Sequence, residues 1–375
     1  MSKYLSRKIK FISLFAMIAV VYIHSYNFTD SFLTPATRIT EGANPTAMIE
    51  YFFSNGLFRF AVPLFFIISG FLFYYTYKNT IDGYKKKLLK RCYSVVTPYI
   101  IWSFLSGIFI LVLSNFDLTK NLDIVVEHPV TKTVDFLKCF INPPAFQLWF
   151  LQQLIIFIVL SPIIYLLVKY TRGLVLIPIG ALWLFDFSFI INTQALFYYT
   201  IGATFAVFNK SRNVTRQSNW LMAIVSIIVW VSLSGCLTVL AAYTSKESGS
   251  ISLSMTIIYK INEIAGIVSV WLLFDHLFSF VTNKRPLIFL TGHLFFIYVL
   301  HEPLLHFTYQ LSSVSEITDF GRLILYVGLP ISNIAICVML SMIIRKIARP
   351  LHRLLTGDRS GNVTLHPIRA DRLRK

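Results

Sequence analysis

Three ionisable residues stand inside apolar runs, and each is of a kind that moves or stabilises charge. His24 closes the run IAVVYIHSYNF, Arg59 lies in LFRFAVPLFF, and His301 lies in FFIYVLHEPLL. An imidazole titrates near neutral pH, so it can take a proton from a poor nucleophile as a bond forms. A guanidinium in a dry setting can stabilise a developing oxyanion or clamp a phosphate. Polar groups of complementary kind recur in two further apolar stretches. FQLWFLQQL supplies Gln147, Trp149, Gln152 and Gln153, and YKINEIAG supplies Lys260, Asn262 and Glu263.

The surroundings of these residues follow from composition. Of 375 residues, 56% are hydrophobic and 14% charged, whereas soluble proteins carry about a quarter charged residues. The apolar runs are about 20 residues long, enough to cross about 30 Å of hydrocarbon. The expected class is therefore all-α, a polytopic integral membrane protein. Ten spans are read, at 11–29, 51–77, 93–114, 146–168, 173–190, 194–208, 219–243, 254–279, 286–308 and 323–345. Basic loops alternate with nearly neutral ones, which puts both termini in the cytoplasm by the positive-inside rule. The net charge of +17 is thus a topology signal, and no nucleic-acid partner is expected. The first run is long and lacks a small-residue cleavage site, so it reads as span one rather than as a signal peptide. Cys92, Cys139, Cys236 and Cys337 are scattered and form neither a disulfide framework nor a CxxC metal site. One membrane domain, 1–350, and a basic cytoplasmic tail, 351–375, are expected.

Depth links the polar residues. At 1.5 Å per residue, His24 lies about 20 Å up span one, Arg59 about 13 Å below the outer surface on span two, and His301 about 22 Å up span nine. Gln147, Trp149, Gln152 and Glu263 fall in the same outer layer. Each has an ordinary structural explanation. His24 suits an interfacial histidine bonded to a carbonyl, and Trp149 and Tyr298 suit an aromatic belt. Lys260 suits snorkelling, or pairing with Glu263 three residues on. Together, at one depth and at a penalty of several kcal/mol each if unpaired, they point to a polar cavity opening outward.

Five segments, in order, resemble the acyltransferase 3 family of membrane acyltransferases. They are VVYIH, RFAVPLFFIISGFLFYY, KKLLKRCYSVVTPYIIW, QLWFLQQLIIFIVLSPII and FIYVLHEPLL. The second is similar to the family's RxxVPxFFxISGxL signature, and the whole resembles the stand-alone type without an attached extracytoplasmic domain. Two positions depart from the pattern. Ser13 stands where many members have an arginine eleven residues before the first histidine, and Gln147 stands where many have histidine.

The resemblance implies transfer of an acyl group, most often acetyl from acetyl-CoA, to a hydroxyl of a cell-surface or lipid-linked glycan at a bacterial inner membrane. No bound cofactor or metal is implied; acetyl-CoA is a co-substrate. In that reading His24 is the general base, Arg59 stabilises the oxyanion or binds a phosphate, and His301 is a second acid/base or orients the acceptor. Trp149, Gln147, Gln152, Glu263 and Tyr298 hold the acceptor. Lys87, Lys90 and Arg91, with Lys85 and Lys86 in the same basic loop, hold the donor phosphates. The competing class is a secondary transporter or flippase of a glycan or lipid-linked sugar. Composition fits it equally; the absence of an internal repeat and the RFAVPLFFIISG match weigh against it.

Overall fold

The computed structural model describes residues 1–25, 39, 42–115, 141, 143, 145–187, 190–208, 218–243, 253–311 and 318–358. Cys139 and the tail beyond residue 358 lie outside them. Every regular element among the described residues is helical.

Helix α1 (Lys3–Ile23) is capped at its start by Ser2, whose hydroxyl accepts from the Leu5 amide. It therefore begins eight residues before the expected span and ends at Ile23, leaving His24 as its C-cap. Cations expected to precede the span ride on it instead. Lys8 is buried against Asp275 at 2.5 Å and lies 4.1 Å from the centre of the Trp271 ring.

Helix α2 (Pro45–Tyr75) starts at Asn44, which caps the amides of Thr46 and Ala47. Pro45 follows at the first position, where its missing N–H costs nothing. The helix widens to a π-turn at Phe52–Leu57 and tightens to a 3-10 turn at Phe58–Phe60, which carries Arg59. Helix α3 (Ile81–Arg91) passes through a second π-turn, Cys92–Val96, into α4 (Thr97–Asn115).

A 3-10 turn at Phe146–Leu148 leads into α5 (Trp149–Val159), and α6 (Ser161–Tyr170) departs from it at 66°. This is one expected span broken in two. Pro162 lacks the N–H that would bond the carbonyl of Ile158, and that carbonyl accepts the Ser161 hydroxyl at 2.7 Å instead. The remaining helices are α7 (Leu176–Leu184), α8 (Thr193–Phe208), α9 (Trp220–Tyr243), α10 (Leu253–Thr282), α11 (Arg285–Leu290), α12 (Leu294–Leu311), α13 (Asp319–Ile347) and α14 (Arg349–Thr356).

Five helical stretches among the described residues are long and apolar enough to cross a bilayer, six if α5 and α6 form one bent span. Ten were expected. Part of the difference is α1, long enough at 21 residues but carrying Arg7, Lys8 and Lys10 within it. Part lies in short elements, α7 with nine residues and α8 with sixteen, about 14 and 24 Å at 1.5 Å per residue, below the full thickness. The expected ninth span is interrupted at Thr291–Gly292–His293 between α11 and α12. The outer face of α9 exposes Leu221, Met222, Val225 and Ile228, a surface suited to hydrocarbon and not to water.

One close approach fixes the centre of the bundle. A Cβ on Gly70 of α2 would stand 2.1 Å from the carbonyl oxygen of Tyr199, and one on Gly202 of α8 would stand 2.0 Å from that of Ile67. Small residues let helix backbones touch where no hydrophobic effect drives association. This is the physical use of the glycine in FFIISGFL.

Candidate active site

An elongated cavity of about 380 Å³ runs along α1, α2, α5 and α12. On α1 it is bordered by Ser13, Met17, Val20 and His24, four positions on one helical face spanning about 16 Å. Helix α2 runs the other way and contributes Val62 at the His24 end and Phe73 at the far end. Gln147, Trp149, Tyr298 and His301 line the cavity near His24; Arg91, His293, Ser341 and Thr356 line it at the opposite end.

The local geometry of the His24 end comes from two helix termini and one mid-helix position. His24 caps α1, the 3-10 turn before α5 supplies Gln147, and the middle of α12 supplies His301. The two imidazoles lie with ring centres 5.2 Å apart and planes inclined by 60°. Nδ1 of His301 is 2.8 Å from the carbonyl oxygen of Tyr298 and 3.1 Å from that of Ile297. A carbonyl only accepts, so Nδ1 carries the hydrogen and Nε2 carries the lone pair. That Nε2 is buried and has no partner among the described residues.

Gln147 repeats the pattern. Its Nε2 donates to the Val299 carbonyl at 2.7 Å, so its Oε1 is an acceptor, and Oε1 is likewise buried without a partner. Two orphaned acceptors thus belong to one end of one cavity. Each costs about 1–3 kcal/mol when left unmade, a cost removed by a ligand that brings hydroxyl donors. The hydroxyl of Tyr298 donates to the Gln147 carbonyl at 2.6 Å, tying α12 to this turn.

The other sequence-derived residues, Arg91 excepted, stand apart from this cavity. Arg59 donates through Nε to Asn55 at 3.0 Å and through a terminal nitrogen to the same oxygen. It does not line the cavity, yet its charge is within electrostatic reach of His24 and Glu263. Glu263 accepts from Gln194 at 2.6 and 2.8 Å, from Tyr259 at 2.8 Å and from Tyr198 at 3.3 Å. It ties α10 to α8 and is not a cavity wall. Lys260 pairs with Asp186 at 2.6 Å and with the carbonyls of Trp183 and Leu184, rather than with Glu263. Gln152 donates to the Ile141 carbonyl at 2.6 Å and Gln153 accepts from the Asn192 amide at 3.1 Å. In the basic loop only Arg91 reaches the cavity; Lys87 bonds Thr76 and lies over the Phe73 ring.

Ser13, Ser69, His293 and Ser341 are cavity residues to which sequence reasoning gave no role. For His293 a signal exists: a glycine interrupts the apolar run just before it, which marks a break. For the serines none does.

Residues 9–342 match the family model described as an acyltransferase domain. The chain is similar to the succinoglycan biosynthesis protein ExoH of Rhizobium meliloti (strain 1021), with 24% identity over 317 residues, 84% of this chain and 83% of that protein. No solved structure matches it.

Proposed function

This chain belongs to the acyltransferase 3 family, and on that premise we propose that it transfers an acyl group, acetyl from acetyl-CoA, to a hydroxyl of a cell-surface or lipid-linked glycan. The observation that carries the acceptor class is the pair of orphaned acceptors, His301 Nε2 and Gln147 Oε1, beside the indole of Trp149. A sugar offers hydroxyl donors to the first and an apolar face to the second kind of surface. The name of the relative, a protein of succinoglycan biosynthesis, agrees with a polysaccharide acceptor.

In this reading His24 is the general base, because it retains exposed surface while His301 is fully buried. His24 takes the proton of the acceptor hydroxyl as the oxygen attacks the thioester carbonyl. The tetrahedral oxyanion collapses, the carbon–sulfur bond breaks, and the proton passes from His24 to the leaving thiolate, giving an ester and free CoA. His301, its tautomer fixed by the Tyr298 carbonyl, accepts a second hydroxyl and orients the acceptor. Arg59 acts on the oxyanion through its field, from behind the cavity wall.

By the positive-inside rule the basic loops support a cytoplasmic setting for Arg91 and for both termini at a bacterial inner membrane. A cavity reaching from Arg91 to His24 supports a route between a cytoplasmic donor and an outward acceptor. Mass spectrometry of surface glycans tests the reading: a strain lacking this protein should lose an alkali-labile acyl ester that its parent carries. Identical glycan spectra from the two strains would reject it.

A further inference from the structure

At the Arg91 end of the cavity stands a polar cluster that the steps above leave unused. Ser341 of α13 is held between two imidazoles. Its Oγ is 2.8 Å from Nδ1 of His293, at the break between α11 and α12, and 3.0 Å from Nε2 of His352 in α14. All three side chains are buried, and His293, Ser341 and the nearby Thr356 line the cavity. The eight-residue helix α14 is drawn against the bundle to make this contact. Its His352 ring stacks on Phe296, with centres 5.7 Å apart and planes inclined by 7°, and its Leu355 carbonyl accepts from the Trp102 indole at 3.0 Å. Its other face, with Arg349 and Arg353, is exposed.

The hydrogen count of this cluster sets what it can bind. A serine hydroxyl has one hydrogen and two lone pairs, so it donates to at most one imidazole, and at least one imidazole donates to it. The ring that accepts from Ser341 carries its own hydrogen on the far nitrogen. The ring that donates to Ser341 keeps a lone pair there. Neither far nitrogen, Nε2 of His293 or Nδ1 of His352, has a partner among the described residues. The far nitrogen of His293, on the cavity wall, therefore offers one donor or one acceptor, while His352 does not line the cavity and holds Ser341 from behind. An amide, which carries both an N–H and a C=O, can meet His293 Nε2 in either state.

We propose that His293, Ser341 and His352 form a subsite for the amide-bearing pantetheine arm of the acyl thioester, with the C-terminal helix α14 as part of its wall. The proposal rests on the acyl-CoA reading above. His293 precedes His301 by eight residues, about 12 Å along the helix axis. An arm held at the cluster thus directs its thioester end toward the His24–His301 pair, while the nucleotide stays near Arg91.

The test uses purified full-length protein in nanodiscs and isothermal titration with three probes: CoA, pantetheine and adenosine bisphosphate. Ser341→Ala should weaken CoA and pantetheine about tenfold, the cost of one buried hydrogen-bonding group, and leave the nucleotide unchanged. His293→Gln should do the same, and Ser341→Thr, which keeps the hydroxyl, should bind as wild type. Unchanged pantetheine binding by both Ser341→Ala and His293→Gln would overturn the subsite. So would equal weakening of all three probes, or an acyl group found covalently on Ser341 after incubation with acyl-CoA. Wild-type protein that binds none of the probes would overturn the acyl-CoA reading itself, an outcome distinct from normal wild-type binding with unaffected variants.

Discussion

Lys8 and Asp275 are 2.5 Å apart, their side chains 2% and 6% exposed, and Tyr4 donates to the same carboxylate. In sequence Lys8 reads as one of several cations flanking a span, because its partner is 267 residues away. Removing one partner of a buried ion pair leaves the other charge unpaired, a loss of about 3–5 kcal/mol. Asp275→Asn should therefore lower the melting temperature of the purified protein markedly; an unchanged melt would show the pair to be energetically neutral. Arg91 makes the opposite case. Three donor-binding cations were read from the loop, and one of them lines the cavity. Arg91→Ala should raise the KM for acyl-CoA about tenfold, the worth of one charge-assisted hydrogen bond, while Lys90→Ala leaves it unchanged. Equal effects of the two variants would make the loop a diffuse cationic surface. His24, His301, Gln147, Trp149 and Tyr298 were legible because a polar or amphipathic group stands out in an apolar run. Glu263 stood out equally, yet its bonds to Gln194, Tyr198 and Tyr259 are invisible until α8 and α10 are packed together. Ser341 was not legible at all, since a serine in a membrane helix is ordinary.

Among the elements, what the sequence shows least well is where a helix stops being straight. The α5–α6 bend and the break before α12 fall on Pro162 and Gly292, both plain in the sequence, but an apolar run continues through each and reads as one span. The two π-turns, Phe52–Leu57 and Cys92–Val96, carry no such mark; they flank Arg59 and Arg91 and re-aim the helix at each. The contact of α2 with α8 is the most constrained packing in the bundle. Gly202→Ala would drive a methyl against the Ile67 carbonyl, at 2.0 Å for an unshifted backbone. Because backbone cannot yield as a side chain does, the cost should reach about 1–3 kcal/mol, seen as a lower melting temperature and reduced activity. Tyr199 borders both this contact and the cavity, so the two losses should appear together. A Gly202→Ala protein with wild-type melting and activity would show that the helices separate freely.

At the scale of the whole molecule, the helical class and the membrane setting follow from composition alone, and the order of basic loops is the basis of the proposed orientation. What the pattern of runs cannot supply is the cavity, which depends on helices distant in sequence lying side by side. The cavity joins Arg91, at the basic end of α3, to the His24–His301 pair, and in the proposed function it is the route between donor and acceptor. Inside-out membrane vesicles test this most directly, with radiolabelled acetyl-CoA added to the exposed cytoplasmic face and the parent strain's deacylated glycan enclosed. Wild-type vesicles should transfer alkali-labile label to the enclosed glycan. Vesicles with equal amounts of His24→Gln, whose amide hydrogen-bonds but takes up no proton near neutral pH, should do so about 100- to 10,000-fold more slowly. Label transferred at the wild-type rate by the glutamine variant, or transferred only when the donor is enclosed and the glycan is outside, would contradict the account.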